Sequence, residues 1–154
     1  MTTIRVEDVE ALQKSWGQTL MTVGRSGSWE EAHERAVAMV QAHYLLEDGS
    51  LLFCPTKARE AQFRVSLEGT VSYFVGRDER YPEDRGFALT VLHEVRFENT
   101  GIVIRGESGI SMGNYFFLRE DGSEFKAEYS WVCVRNSLGE LKIQLHHSSL
   151  PFQG

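Results

Sequence analysis

The hydrophobic pattern of this 154-residue chain changes period at Gly86, and this change constrains the fold more than any other feature. Before Gly86, apolar residues recur every three or four positions over residues 6–23 and 29–44, as on one face of an α-helix. After it, apolar and polar residues alternate from Phe87 to Phe97 and again in later segments, which is the period of a β-strand. Helices followed by an antiparallel meander predict an α+β domain whose helices cover one face of the sheet.

Local signals place the remaining elements. Ser28 and Glu31 have the spacing of a helix capping box, and "SLLFCP" predicts a short buried strand that ends at Pro55. The apolar spacing over residues 56–74 predicts a third helical region, continuous or divided into two short helices near Gly69. The predicted strands of the second half are separated by turn-like segments: Asn99–Gly101, Glu107–Gly109, Asp121–Gly122 and Asn136–Gly139.

Length, charge and cysteine content limit the class of protein. A chain of 154 residues favours a single domain, here residues 1–154. The net charge of −6, with no compensating basic stripe, predicts no nucleic-acid or anionic-membrane partner. Cys54 and Cys133 lie in strand-like apolar runs and are predicted to be free thiols. No segment resembles a signal peptide or a membrane span, so we expect a cytoplasmic protein.

The C-terminal stretch "LHHSSLP", residues 145–151, carries four groups that can bind or move protons. If Ile143 and Leu145 face the core, simple alternation brings His147 and Ser149 to the core side and leaves His146 and Ser148 outside. A β-bulge near the end of the chain would reverse this assignment. Without a bulge, His146 lies at the outer sheet face, where it could contact a second subunit.

Other polar residues fall in otherwise apolar registers. His93 could be a hydrogen-bonded core histidine or a pocket residue. Asn114 could line the cavity or face away from it. The five histidines include no H-x-H or H-E-x-x-H pair, and the two cysteines lack ligand spacing. We therefore expect no dedicated metal site. Nucleotide-binding glycine motifs are also missing from the sequence. The stretch "GISMG" at 109–113 matches the G-x-S-x-G spacing, but it falls within a predicted strand and not at the strand-to-helix turn of a nucleophile elbow.

Several motifs together resemble the iota-class carbonic anhydrases. "LHHSSLP" is similar to their C-terminal H-H-S-S-x-[ML]-P signature, with leucine at position 150 where methionine is frequent. The other matching stretches are "LLFCPTKAREAQFR" at 51–64, "SYFVG" at 72–76, "FENTGIVIRGESGISMGNYFF" at 97–117 and "EYSWVCV" at 128–134. This class belongs to the domains similar to the association domain of calcium/calmodulin-dependent kinase II, within the NTF2/SnoaL-like superfamily.

The resemblance implies a cone-shaped NTF2-like fold, with N-terminal helices packed on a strongly curved antiparallel sheet, and the reversible hydration of CO2 to bicarbonate. It places hydroxyl side chains in the cone, namely Thr56 of "PT", Tyr73 of "SYF" and a serine of "HHSS", for which Ser149 fits the predicted inward register. Some members are described as metal-free and others as using manganese or zinc. The histidine pattern favours the metal-free branch, and a homodimer is implied.

We accordingly hypothesise that Thr56, Tyr73 and Ser149 position water and CO2, while His147 accepts or relays the proton. Apolar neighbours, Phe53, Phe63 and Phe74, would exclude bulk water. Further candidate substrate contacts are Phe53, Arg64, His93, Asn114 and Ser148. Four of the candidates also have a purely structural interpretation. Thr56 could cap a helix, Tyr73 could belong to the core, Ser149 could end a strand, and Arg64 could form a salt bridge.

Two other functional classes stay open at this point. A SnoaL-like enzyme acting on a larger organic substrate would need an Asp–His pair in the pocket, and the sequence places no carboxylate clearly inward beside His147 or His93. A non-catalytic domain for homo-oligomerisation or ligand binding would keep the cone but would not need a polar lining.

Overall fold

Helices make up the first half of the molecule and a five-stranded sheet most of the second. The computed structural model describes residues 3–154, so Met1 and Thr2 of the predicted domain lie outside the described residues. The helices are α1 (Val6–Gly24), α2 (Trp29–His43) and α3 (Leu67–Val75), with short 3-10 turns at Glu47–Gly49 and Phe87–Leu89. The strands are β1 (Leu52–Cys54), β2 (Leu92–Arg105), β3 (Ser108–Arg119), β4 (Glu124–Arg135) and β5 (Leu141–Ser149). The predicted α+β class is confirmed.

The strands form one mixed sheet in the order β1-β5-β4-β3-β2. Strands β2 to β5 are an antiparallel meander, as predicted, whereas β1 pairs with β5 in parallel. The parallel pair brings the segment after the second helix beside the C-terminal strand. Phe53 is the partner of His146 in this register, so residues that follow β1 in sequence lie close to the end of β5.

The third helical region is shorter than its apolar pattern predicts. Helix α3 begins at Leu67 after Ser66, whose side chain accepts a hydrogen bond from the Gly69 amide at 3.0 Å. Residues 56–66 form turns and an isolated bridge instead. The reason is tertiary: the Glu83 carboxylate accepts hydrogen bonds from the backbone amides of residues 59–61, and the Arg64 amide donates to the Phe53 carbonyl at 2.7 Å.

Strand β2 runs through the segment Asn99–Gly101, where the sequence predicts a turn. The pairing with β3 shifts by one residue there, so this segment is a bulge within a long strand. Gly113 lies opposite, and a Cβ atom at this position would overlap the carbonyl oxygen of Glu98. Glycine is therefore required where the two backbones approach each other.

The core lies between the helices and one face of the sheet and is rich in aromatic rings. The indole of Trp16 on α1 is surrounded by Phe97, Tyr115, Phe117, Trp131 and His146, with ring centroids 5.8–6.2 Å away. In the region that the structure describes, none of the helices combines the length and apolar character needed to cross a membrane.

Candidate active site

A bulge on β5 decides which residues of "LHHSSLP" face the core. Cys133 of β4 pairs with Ile143, and Val132 pairs with Leu145, so Gln144 has no partner between them. One extra residue reverses the alternation of all later side chains. His146 and Ser148 are consequently buried, at 2% and 3% exposure.

The predicted inward orientation of His147 and Ser149 is therefore wrong. The bulge that the sequence left open is present, and the two residues point away from the core. His147 is exposed and Ser149 is half-buried. Both line a depression on the outer face of the sheet.

Ser148 joins two further hydroxyl groups at the inner face of the sheet. Its Oγ atom forms short hydrogen bonds with the hydroxyls of Thr56 and Tyr115. The Tyr115 hydroxyl also lies 3.1 Å from Nε2 of His146. Thr56 follows β1, Tyr115 lies on β3, and His146 and Ser148 lie on β5, so the pairing of β1 with β5 and the burial of Tyr115 on β3 bring these groups together.

The other ring nitrogen of His146 continues the same series of hydrogen bonds toward α1. Its Nδ1 lies 2.9 Å from the Tyr44 hydroxyl, and the indole Nε1 of Trp16 donates to that hydroxyl at 3.1 Å. We call this series the hydroxyl chain: Trp16, Tyr44, His146, Tyr115, Ser148 and Thr56.

The donors and acceptors of the hydroxyl chain can be assigned from Trp16, because an indole N–H only donates. The Tyr44 oxygen accepts from Trp16, so the Tyr44 hydrogen goes to Nδ1 of His146. The proton of this neutral imidazole then sits on Nε2 and is donated to Tyr115. Tyr115 donates to Ser148, and Ser148 in turn donates to Thr56.

Thr56 is the end of the chain, and its own hydroxyl hydrogen is not needed by any other member. That hydrogen can be donated into the cavity beside it, or to the Tyr73 hydroxyl, with which Thr56 also interacts. The Tyr73 oxygen accepts from the backbone amide of Lys57 at 3.3 Å. The Thr56 and Tyr73 oxygens thus accept hydrogen bonds from Ser148 and the Lys57 amide. Their own hydroxyl hydrogens are therefore available to donate into the cavity.

The cavity at this point is small and mostly apolar. Its volume is about 10 Å³, which is close to what a single water molecule requires. It is lined by Trp16, Phe53, Pro55, Thr56, Tyr73, Phe74, Phe87, Tyr115, His146 and Ser148. The ring of Phe53 stacks on the imidazole of His146 with centroids 4.7 Å apart, and this contact fixes the imidazole plane.

None of the lining side chains carries a charge at neutral pH. Burial, with a smaller contribution from His147, lowers the pKa of His146 to about 3, so its imidazole is neutral. Burial raises the pKa of Tyr73 and of Tyr115, so both phenols stay protonated. The site can therefore donate and accept hydrogen bonds, but it has no ionised acid or base.

Four of the predicted site residues meet in this cavity: Phe53, Thr56, Tyr73 and Ser148. The predicted apolar neighbour Phe74 also lines it. Phe53, Thr56 and Tyr73 lie in the expected lining, and Ser148 reaches the cavity although simple alternation predicts it outside. The roles of all four residues in the reaction stay predictions. Thr56 does not cap a helix, since α3 begins eleven positions later with Ser66 as its cap.

The remaining candidates lie elsewhere. Asn114 shares the outer depression with His147 and Ser149 and contacts Glu98 at 3.4 Å. His93 is exposed on β2, because the residue before it, Leu92, takes the buried position at the start of that strand. Phe63 is 67% exposed and cannot exclude water from the cavity.

Arg64 is a structural residue that does not line the cavity. Its guanidinium is fully buried and forms two hydrogen bonds of 2.8 Å with the Asp84 carboxylate. It also donates to the carbonyls of Ala61 and Gly69, both at 2.8 Å, and lies over the Tyr81 ring. The salt-bridge alternative for Arg64 is thus the one present.

Sequence reasoning missed His146 as a cavity residue and also missed Tyr115, Tyr44 and Trp16. For Tyr115 a signal exists, since it alternates with Phe117 on β3 and both are buried. Asn114 and Phe116 occupy the opposite register, which is apolar enough to be mistaken for the core face.

Within residues 3–154, histidine, cysteine and acidic side chains do not gather in any group of three or more that could hold a metal ion. Cys54 and Cys133 are free cysteines, as predicted. Cys133 is buried on β4, and burial raises the pKa of its thiol to about 12.

Comparisons with known proteins agree on one family. A family model for metal-independent carbonic anhydrase matches residues 7–150. A metal-independent carbonic anhydrase from Nostoc sp. (strain PCC 7120) is 34% identical, and the match covers 97% of this chain and 75% of the relative.

Solved structures show the same relationship. The crystal structure of the iota-carbonic anhydrase from a cyanobacterium, complexed with bicarbonate, has a TM-score of 0.95 and 32% identity, covering 99% of this chain and 95% of that one. An NTF2-like superfamily protein from Salmonella enterica has a TM-score of 0.52 and 9% identity, covering 95% of this chain and 96% of that one. This second likeness concerns the fold alone and confirms the expected NTF2-like architecture.

Proposed function

The chain belongs to the metal-independent carbonic anhydrase family, and from this premise we propose how its cavity hydrates CO2 to bicarbonate. The observation that carries the proposal is the convergence of the Thr56, Tyr73 and Ser148 hydroxyls in a small cavity with mostly apolar, uncharged walls. Apolar walls admit a nonpolar gas, and the hydroxyls supply oriented hydrogen-bond donors where charge develops on its oxygens.

The reaction needs a route for one proton, and the cavity has no charged base to accept it. His147, the acceptor expected from the sequence, lies on the outer face of the sheet. His146 has both nitrogens in hydrogen bonds and a pKa of about 3, so it is a poor acceptor. We assign it a positioning role. Because Tyr44 donates to its Nδ1, His146 carries its proton on Nε2 and donates to Tyr115, which orients the Tyr115 hydroxyl.

A hydroxyl relay removes the need for a base. As the water oxygen bonds to the carbon of CO2 and one C=O π bond breaks, a water proton passes to Oγ1 of Thr56. The Thr56 hydroxyl proton passes to the substrate oxygen in the same step, and the product is carbonic acid. Tyr73 donates to the other substrate oxygen, and Ser148 holds Thr56 in place. Carbonic acid then releases its proton to solvent water as bicarbonate, and dehydration reverses the sequence.

The relay suits a dry cavity because charges are never fully separated inside it. Ionising water beside CO2 would leave hydroxide and an acid in a low-dielectric space, which is costly. A bound metal meets this cost by lowering the pKa of water to about 7. We propose that no manganese or zinc takes part in this chain's reaction, and the family's description as metal-independent supports that proposal.

In the described part of the chain, the cavity lining contains no carboxylate beside His146, so it lacks the Asp–His pair that a SnoaL-like enzyme acting on a larger organic substrate would need. A purely structural assembly domain would not need the hydroxyls of Thr56 and Tyr73 to line a cavity. Neither alternative class is favoured by an observation in the site.

We propose a homodimer formed through the outer face of the sheet. Val103, Ile110 and Met112 are apolar side chains on this face with exposed fractions of 48%, 43% and 56%, which is the kind of patch that protein interfaces cover. Sedimentation equilibrium should give twice the chain mass, and a monomer at micromolar concentration would contradict the proposal.

The cytoplasm is our proposed compartment, supported by the two free cysteines.

Stopped-flow CO2 hydration in the presence of a strong chelator tests the reaction and its metal independence. We expect activity to survive the chelator. Replacing Thr56 by valine, which keeps the shape and removes the hydroxyl, should lower kcat by about 10²–10³-fold.

The matched control is Thr100→Val, because Thr100 lies in the outer depression and should keep its wild-type rate within about twofold. Folded wild-type protein without turnover, or turnover that the chelator abolishes, would refute the proposed reaction.

A further inference from the structure

A second cavity lies next to the reaction cavity. Its volume is about 210 Å³, and it shares Tyr73 and Phe87 with the inner cavity as common walls. Several of its other lining residues are exposed, among them Lys57, Arg85 and Thr90, so this cavity opens to solvent. We call it the vestibule.

Two cationic side chains are held over aromatic rings of the vestibule. The ammonium of Lys57 lies 4.6 Å from the centroid of the Phe125 ring and 5.7 Å from that of Phe87. The guanidinium of Arg119 lies 5.9 Å from the same Phe125 ring. Such contacts favour a charge placed over the ring face. Among the described residues, neither cation has a carboxylate within 4.0 Å.

The acidic residues of the vestibule are already occupied. Glu83 accepts hydrogen bonds from three backbone amides, and Asp84 is paired with the buried guanidinium of Arg64. Arg85 adds another cation to the lining. Positive groups therefore exceed carboxylates around this opening, although the whole chain has a net charge of −6.

The two cavities differ in a way that follows the charge of the reactants. The inner cavity is uncharged and suits CO2, whereas the product bicarbonate is an anion that a net-negative protein would repel. We propose that the vestibule is a binding site for small planar monoanions, bicarbonate in particular, with Lys57 and Arg119 as its cationic ligands. The proposal rests on the proposed reaction, because that reaction yields carbonic acid behind Tyr73, and this acid becomes the anion when it releases its proton to solvent water.

Nitrate is the probe for the test, since it is a planar monoanion that undergoes no hydration chemistry. A nitrate titration followed by 1H–15N NMR of the wild-type protein should shift the amide signals of Lys57, Gly86 and Arg119. Lys57→Met and Arg119→Met should each weaken this binding about three- to tenfold, because one unit charge near the anion is lost. Methionine keeps most of the apolar contact of the Lys57 stem with the rings.

The control is Lys126→Met, because Lys126 also lies over a phenylalanine ring, that of Phe116 at 5.7 Å, but outside the vestibule. Its nitrate affinity should equal that of the wild type. Equal weakening by Lys126→Met, or a titration that leaves the Lys57 amide unmoved, would overturn the proposal.

Kinetics provide a second readout. In bicarbonate dehydration, Lys57→Met should raise KM for bicarbonate about three- to tenfold. Added salt should raise the KM of the wild type by a larger factor than the KM of the variant. An unchanged KM would overturn the role in catalysis. The NMR measurement needs no turnover, so nitrate binding at Lys57 in a protein without CO2 hydration would support the anion site and refute the proposed reaction alone.

Discussion

The end of β5 places the same two residue types on both faces of the sheet, and the two pairs differ in almost every physical property. The inner pair, His146 and Ser148, is buried and bonded to Tyr44, Tyr115 and Thr56. In the outer pair, His147 is exposed and Ser149 has one long contact of 3.5 Å with Glu128. The comparison teaches that residue type alone does not make this site, because function depends on the surroundings that each face provides.

The serines should give the largest contrast. Ser148→Ala removes the group that orients Thr56 in the cavity, so we expect kcat for CO2 hydration to fall about 10²-fold. Ser149→Ala should stay within about twofold of the wild type. Stopped-flow assays of both purified variants measure the difference.

The same assay can also contradict the comparison. If Ser149→Ala proved the slower enzyme, the bulge at Gln144 would be wrong and the outer pair would be the catalytic one. Equal rates for both variants would show that neither serine orients the relay.

The histidines should differ next, mainly in stability. His146→Asn leaves the Tyr44 and Tyr115 hydroxyls without their shared partner and should lower the free energy of unfolding by about 2–3 kcal/mol at neutral pH. His147→Asn should change it by less than about 0.5 kcal/mol. Urea denaturation of both variants at one temperature measures these values.

The pH dependence of stability sharpens this contrast. The pKa of His146 is about 3 in the folded protein against the ordinary value of 6.5, so below about pH 6.5 only the unfolded chain takes up this proton. Stability should therefore fall as pH drops from about 6.5 toward about 3, by up to about 1.4 kcal/mol per unit. His146→Asn should lose the contribution of His146 and keep that of His43, whose pKa burial also lowers, while His147→Asn should keep both. An equal slope in all three proteins would show that His146 is not held neutral.

The smallest expected effect is that of pH on the reaction itself. Since His146 stays neutral and Tyr73 and Tyr115 stay protonated, kcat/KM for CO2 hydration should change less than about twofold between about pH 6 and about 9. A sigmoid profile with its midpoint near neutral pH would instead indicate a titrating proton acceptor and would refute the relay.

Hydrophobic periodicity predicts the elements whose apolar spacing repeats over several turns of helix. Helices α1 and α2 lie where apolar spacing predicts them, and Ser28 caps α2 by accepting from the Glu31 amide at 3.1 Å. Residues 56–66 fail as a helix because the Glu83 carboxylate, distant in sequence, binds their amides. A pattern of neighbouring residues does not contain such a contact.

The site could be predicted by residue type but not by orientation. The motifs name Thr56 and Tyr73 individually, and both line the cavity. Alternation predicts the wrong face for the tail because a single residue, Gln144, determines its register. Nothing in "KIQLH" distinguishes a bulged strand from a regular one, since alternation is plausible in either reading.

The bulge and the repeated letters of the tail together have a consequence for how the chain tolerates length changes. Removing one residue ahead of His146 while the bulge persists, for example Leu145, would move His147 into the place of His146 and Ser149 into the place of Ser148. Because the sequence H-H-S-S repeats each residue type, a shift of the strand by one position would still place an imidazole and a hydroxyl at the same two points beside Thr56.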